Sequence, residues 1–163
     1  MTLDRTYSDE HAMPEAWSEA KAALETSPIF WLSTVRPDGR PHVTPLICVW
    51  HDNALYICTG EQERKARNLA ENDACVLTTG NNAYETGIDY VVEGHAARVR
   101  DDDELRAVAS VYLGKYGEDW RFDVVEGDFE QGGHRAAVFR IAPEVVFGFR
   151  RGPVASQTKW TFR

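Results

Sequence analysis

The sequence predicts a mainly β domain with flanking helices, folded as an antiparallel barrel. Three observations carry this expectation. Six or seven short runs rich in β-branched and aromatic residues are separated by turn residues. The first three runs are joined by turns too tight to hold a crossover helix. Only two stretches between the strands have helical spacing, so the regular βα alternation of a doubly wound parallel sheet is missing.

Residues 1–13 read as a loose, polar N-terminal tail, and residues 14–163 as one domain. Pro14 opens a helix that spaces Trp17, Ala20, Ala23 and Leu24 along one side, and Ser27-Pro28 ends it. Ile29 to Val35 follows as a strand. Arg36-Pro37-Asp38-Gly39-Arg40 makes the turn into a second strand, His42 to His51, where Pro45 implies a bulge or an unpaired edge. His51-Asp52-Asn53 turns the chain into a third strand, Ala54 to Thr59. Gly60 to Glu71 reads as a helix, Ala74 to Thr79 as a strand, and Ile88 to Arg100 as a long alternating strand. Asp101 to Asp103 cap a helix that puts Leu105, Val108, Ala109, Tyr112 and Tyr116 on one face. Gly117 to Gly133 reads as irregular and acidic, and two last strands, Arg135 to Ala142 and Glu144 to Arg150, flank Pro143.

At 163 residues the chain has enough length for one hydrophobic core. Apolar residues make up 43% and charged residues 27%, a globular composition. The net charge of −8 repels nucleic acid and anionic lipid, so neither is an expected partner. The longest nearly apolar run, Val43 to Trp50, is far short of a membrane span, and Met1 to Pro14 lacks the apolar core of a signal peptide. Cys48, Cys58 and Cys75 are odd in number with no CxxC pair, which reads as free thiols in a reducing, cytoplasmic setting.

No GxGxxG, GxxxxGK[ST], GxSxG or HExxH run is present, and the five histidines show no ligand spacing, so no metal site is expected. No nucleophile and base pair stands out, and the sequence names no catalytic residue. A bound cofactor is the expected carrier of any chemistry.

The richest local signal is Leu55 to Leu69, a strand running into a helix start, where free N–H groups and the dipole favour an anion. Arg64, Lys65 and Asn68 share a helix face by their offsets of three and four, and Thr59 adds a hydroxyl at the strand end. Glu61 and Glu63 oppose an anion there. Pairing of Arg64, Lys65 and Arg67 with Glu61, Glu63 and Glu71 on a solvated helix is the alternative reading.

The order strand, Pro-Asp-Gly turn, two strands, then Thr59 with Arg64-Lys65 and Arg67-Asn68-Leu69 resembles the pyridoxamine 5′-phosphate oxidase-like family, from about Trp17 to Phe149. The resemblance implies a split barrel that binds FMN or, in relatives, the deazaflavin coenzyme F-420, in a cleft between the subunits of a homodimer. It implies that Thr59, Arg64 and Lys65 hold the cofactor phosphate, with Asn68 matching the deazaflavin-binding relatives. It places the ring near Ser33, Thr34, Thr44 and Pro45, although Thr44 and Pro45 equally suit plain strand packing at a bulge. Lys159 and Trp160 could cover the cleft or dock as a tail, and Tyr84 could reach the neighbouring subunit's site. FMN is the first expectation and the deazaflavin the alternative.

Three departures argue against oxidation of pyridoxamine phosphate itself. Val43 and Cys48 stand where that enzyme carries a basic pair, Glu63 replaces the Ser of its Ser-Arg-Lys run, and its C-terminal Arg-x-His element is missing. The resemblance therefore implies hydride transfer between a flavin-type cofactor and a small organic substrate. A non-enzymatic flavin or haem carrier is the alternative.

Overall fold

In the computed structural model, which describes residues 1–162, the chain enters as β1 (Thr2–Leu3), laid antiparallel on the last strand, β11 (Ser156–Thr161). The first thirteen residues are therefore docked, in contrast to the loose tail the sequence suggested. Asp4 N–H donates to Gln157 O at 2.9 Å, Asp9 N–H to Ala155 O at 3.0 Å, and Ala12 is buried. Pairing of this kind leaves no periodic signal in so short a stretch.

Helix α1 (Trp17–Thr26) buries Ala20 and Leu24, and its Trp17 ring lies 4.7 Å from Phe162, 5.7 Å from Trp160 and 6.0 Å from Trp50. Trp50 and Trp160 belong to the core, and Trp17 and Phe162 pack against it. Strands β2 (Phe30–Val35) and β3 (Pro41–Leu46) form the expected hairpin, turned by Gly39 at φ +81° and by Asp38, which accepts from the Arg40 N–H. The expected strand His42 to His51 breaks at Ile47-Cys48, leaving β4 (Val49–His51) as a separate piece beside β5 (Ala54–Thr59). Pro45 sits on β3, which pairs only with β2, so its missing N–H costs no ladder bond on an inner strand.

Helix α2 (Arg64–Glu71) leads into β6 (Ala74–Thr79) and the long β7 (Gly87–Val99). Helix α3 (Asp102–Tyr116) begins where Asp101 accepts from the Glu104 N–H at 2.9 Å. It buries Leu105, Val108, Ala109 and Tyr112 against Val49, Tyr56 and Val138. The segment expected to be irregular instead holds a 3-10 turn (Glu118–Trp120) and a hairpin of β8 (Asp123–Val125) and β9 (Asp128–Gln131). Its turn uses Glu126 and Gly127, both at positive φ. The two expected last strands are one, β10 (His134–Arg151), with a register shift at Pro143.

The antiparallel sheet runs β1-β11-β10-β7-β6-β2-β3 and does not close. Strand β10 splits it: Ala137–Ile141 pair with β5, whereas Val145–Arg150 pair with β11. Phe30, Leu32, Leu55, Ile57, Leu77, Val92 and Ile141 fill the interior, all fully buried. None of the helices among the described residues is long and apolar enough to cross a membrane.

Candidate functional site

The apolar strand β5 delivers Thr59, 3% exposed, to the start of α2. Between them Glu63 takes the Gly60 N–H at 3.0 Å and forms an ion pair with Lys65, whose side chain is only 12% exposed. The Lys65 ammonium holds the Glu63 carboxyl below its ordinary pKa. Arg67 turns outward to the Gln62 carbonyl at 2.8 Å, and Arg64 is exposed. The alternative expected from the sequence is thus realised for Lys65 with Glu63.

Ala66, Asn68 and Leu69 form the buried side of α2. Asn68 is fully buried and donates through Nδ2 to Thr34 Oγ1 at 2.9 Å, while its Oδ1 has no partner. Thr34 pairs in register with His42, so both side chains lie on the β2–β3 face turned to α2. Burial pushes the His42 pKa down first, and the Arg36, Lys65 and Arg64 charges lower it further. His42 Nδ1 and Arg36 Nε are buried without hydrogen-bond partners. Arg36, Arg64 and Lys65 thus bring positive charge around a neutral His42, with Glu63 paired to Lys65. An unpartnered buried guanidinium N–H of Arg36 beside a lysine shared with one carboxylate suits an incoming anion.

Lys65, Thr59 and Gly60 also line a groove of about 700 Å³. Pro45, Leu46 and Cys58 line it as well, together with Trp120, Phe122 and Gln131. His134 and Arg135 complete the rim. Burial pushes the Cys58 thiol up to about 11, so it lines the groove as an inert wall and not as a nucleophile. No group of three metal-ligating side chains exists among the described residues.

The structure therefore brings Thr59, Lys65 and Pro45 to one groove and joins Asn68 to Thr34 behind it. Thr44 faces the same side of β3 as His42, and its hydroxyl contacts only the Pro45 carbonyl, at 3.4 Å. Ser33 lies on the opposite face of β2, in a separate cleft with Cys75 and His95. Trp160 is 3% exposed and packed in the core, and Lys159 rests over the Phe147 ring at 5.5 Å. Lys159 is five strands from Pro45 in the sheet order, about 24 Å along the sheet at the usual strand spacing. Within one chain these two residues do not reach the groove. Tyr84 is 90% exposed on its loop.

Trp120, Phe122 and the His42–Arg36 pair were missed as site residues. The Glu126-Gly127 turn and the aromatic residues around it were a legible hairpin signal. The basic cluster forms only through strand register.

The sequence family described as pyridoxamine 5′-phosphate oxidase matches residues 16–149. No curated protein matches the chain significantly in sequence. Among solved structures it is similar to a haem binding protein from Mycobacterium smegmatis (TM-score 0.72, 17% identity), covering 92% of this chain and 59% of that one. It is also similar to HutZ, the haem storage protein from Vibrio cholerae (TM-score 0.61, 21% identity), over 78% of this chain and 89% of that one. General Stress Protein 26 from Bacillus anthracis gives a TM-score of 0.60 at 19% identity, over 80% of this chain and 91% of that one. The chain thus spans about three-fifths of the length of the first of these, and at such identities the likeness is one of fold. The sequence match covers most of the chain and the split sheet agrees with it: the chain belongs to the pyridoxamine 5′-phosphate oxidase family.

Proposed function

We propose that this chain is an oxidoreductase that moves a hydride between a flavin-type cofactor and a small organic substrate. FMN is the first choice of cofactor and the deazaflavin coenzyme F-420 the alternative. The observation that carries the reading is the groove that brings Lys65 and Thr59 together with the apolar side chains of Leu46, Ile47, Trp120 and Phe122. Lys65, Arg64 and Thr59 would hold the phosphate, with Asn68 and Thr34 setting the pitch of α2 against β2. The cofactor would supply the hydride chemistry, which agrees with the inert Cys58 and the absence of a nucleophile and base pair in the groove.

Support for a homodimer comes from the outer face of the sheet. The row Pro45, Trp31, Thr78, Val91 and Phe147 follows the strand register across five strands and points away from the core. Trp31 is 49% exposed and Val43, beside it, 54%. A second copy seated there would cover this apolar face and border the groove at Pro45. Ser33 and Lys159 share that face, so the partner subunit is the route by which they could approach a cofactor.

Oxidation of pyridoxamine phosphate is not favoured. Val43 is an exposed apolar residue, and Cys48 is fully buried beneath Lys115 and Tyr116. A haem-carrying role is the second reading, favoured by His134 on the groove rim, an imidazole able to ligate iron. A visible spectrum with mass spectrometry of the chromophore released from the purified protein separates these readings. A flavin or deazaflavin supports the proposal. Haem bound through His134, lost in His134→Ala, would replace it.

A further inference from the structure

Besides Lys65, the groove is lined by Trp120 of the 3-10 turn, by Phe122 and by Gln131 of β9, a segment fixed by several side-chain contacts. Trp120 ends the turn with 37% of its surface exposed, and its ring lies 6.2 Å from Phe122. Phe122 stacks on Phe129 at 4.6 Å and meets Tyr112 of α3 edge-on at 5.5 Å. Phe129 and Tyr112 are fully buried, so the ladder that ends in Trp120 is rooted in the core.

The backbone on both sides of Trp120 is pinned as well. The Gln131 amide donates to the carbonyls of Asp119 at 2.9 Å and Arg121 at 3.0 Å. Arg121 closes the same turn through two contacts to Glu118, each 2.8 Å. A large aromatic side chain that is carried on a pinned backbone, packs on Phe122 and lines a groove offers a ring surface at reduced cost in ordering. Ile29, Leu46 and Ile47 supply apolar surface in the same groove, and Lys65 a cation. Charge and shape together suit a flat conjugated ring joined to an anionic group.

We propose that Trp120 is a positioning residue whose indole stacks on the ring of the bound flavin-type cofactor, an inference that rests on the cofactor reading above. It gives the ring-stacking role to a residue of the 117–133 segment, in place of the core-packed Trp160.

The test is titration of the full chain with two probes, FMN and riboflavin, which share the ring and differ in the phosphate. Trp120→Ala should weaken both by a similar factor, roughly tenfold, and Trp120→Phe should recover most of the loss. Lys65→Met should weaken FMN and leave riboflavin unchanged. Flavin bound to Trp120→Phe should also fluoresce more brightly than flavin bound to wild type, because a stacked indole quenches it. If Lys65→Met weakens FMN while Trp120→Ala alters neither probe, the stacking inference fails and the phosphate reading stands. If wild type binds neither probe and does not bind the deazaflavin coenzyme either, the cofactor reading fails and the inference falls with it.

Discussion

Glu63 offers the sharpest perturbation of the site, because its two contacts pull in opposite directions on ligand binding. Its carboxylate caps the Gly60 N–H and neutralises Lys65, the cation assigned to the phosphate. Glu63→Gln keeps an oxygen for the Gly60 N–H and removes only the charge. A carboxylate about 5 Å from a phosphate charge costs about 3 kcal/mol at an effective dielectric of about 20. The Glu63 side chain is 53% exposed, so screening leaves about 1 kcal/mol, or roughly fivefold in affinity. Lys65, at 12% exposure, should matter more: Lys65→Met removes a charge-assisted bond of about 2 kcal/mol, roughly 30-fold. Calorimetric titration with FMN should therefore show Glu63→Gln tighter than wild type and Lys65→Met weaker. If Glu63→Gln binds FMN more weakly, the carboxylate is part of the binding surface, and the assignment of Lys65 to the phosphate is wrong.

Three further outcomes follow from the packing. Leu77 is fully buried in the barrel, and Leu77→Ala should cost about 3 kcal/mol in denaturant unfolding, with little change expected if the interior collapses around it. Burial raises the pKa of Glu15 despite its hydrogen bond with Tyr90, so the folded chain keeps the proton as pH rises above about 4.5. Stability conferred by the protonated carboxyl is then lost as pH climbs through the raised folded value. Glu15→Gln should flatten that loss and melt higher than wild type at neutral pH; parallel melting curves would refute the sign. Trp31→Arg places a charge in the centre of the exposed apolar row and should shift the proposed dimer to monomer in sedimentation, whereas an unchanged mass would place any interface elsewhere.

Much of the architecture was legible because period-2 runs and turn residues state it locally. Ala74 to Thr79 and Ala54 to Thr59 fall where the sequence put them, and the turn at Asp52-Asn53 shows the positive φ its residues permit. The misreadings share a cause. Thr2–Leu3 is a strand only because β11 lies beside it, and β10 runs through Pro143 because a register shift absorbs the missing N–H. At the site, the grouping of Thr59 and Lys65 could be read from spacing along one segment. The contact between Asn68 and Thr34, 34 positions apart, and the approach of His42 to Lys65 depend on how α2 lies across the first hairpin. For Trp160 the sequence left open a cover for the cleft or a docked tail, and the pairing of β11 with β10 decides for docking, with the indole in the core.

The central claim is that the start of α2 holds a cofactor phosphate, and the double variant Arg64→Ala/Lys65→Ala tests it most directly. Its FMN affinity, measured by titration beside wild type with folding verified by circular dichroism, should fall by about 2–4 kcal/mol, roughly 30-fold to 1,000-fold. A folded double variant that binds FMN as tightly as wild type would contradict the claim.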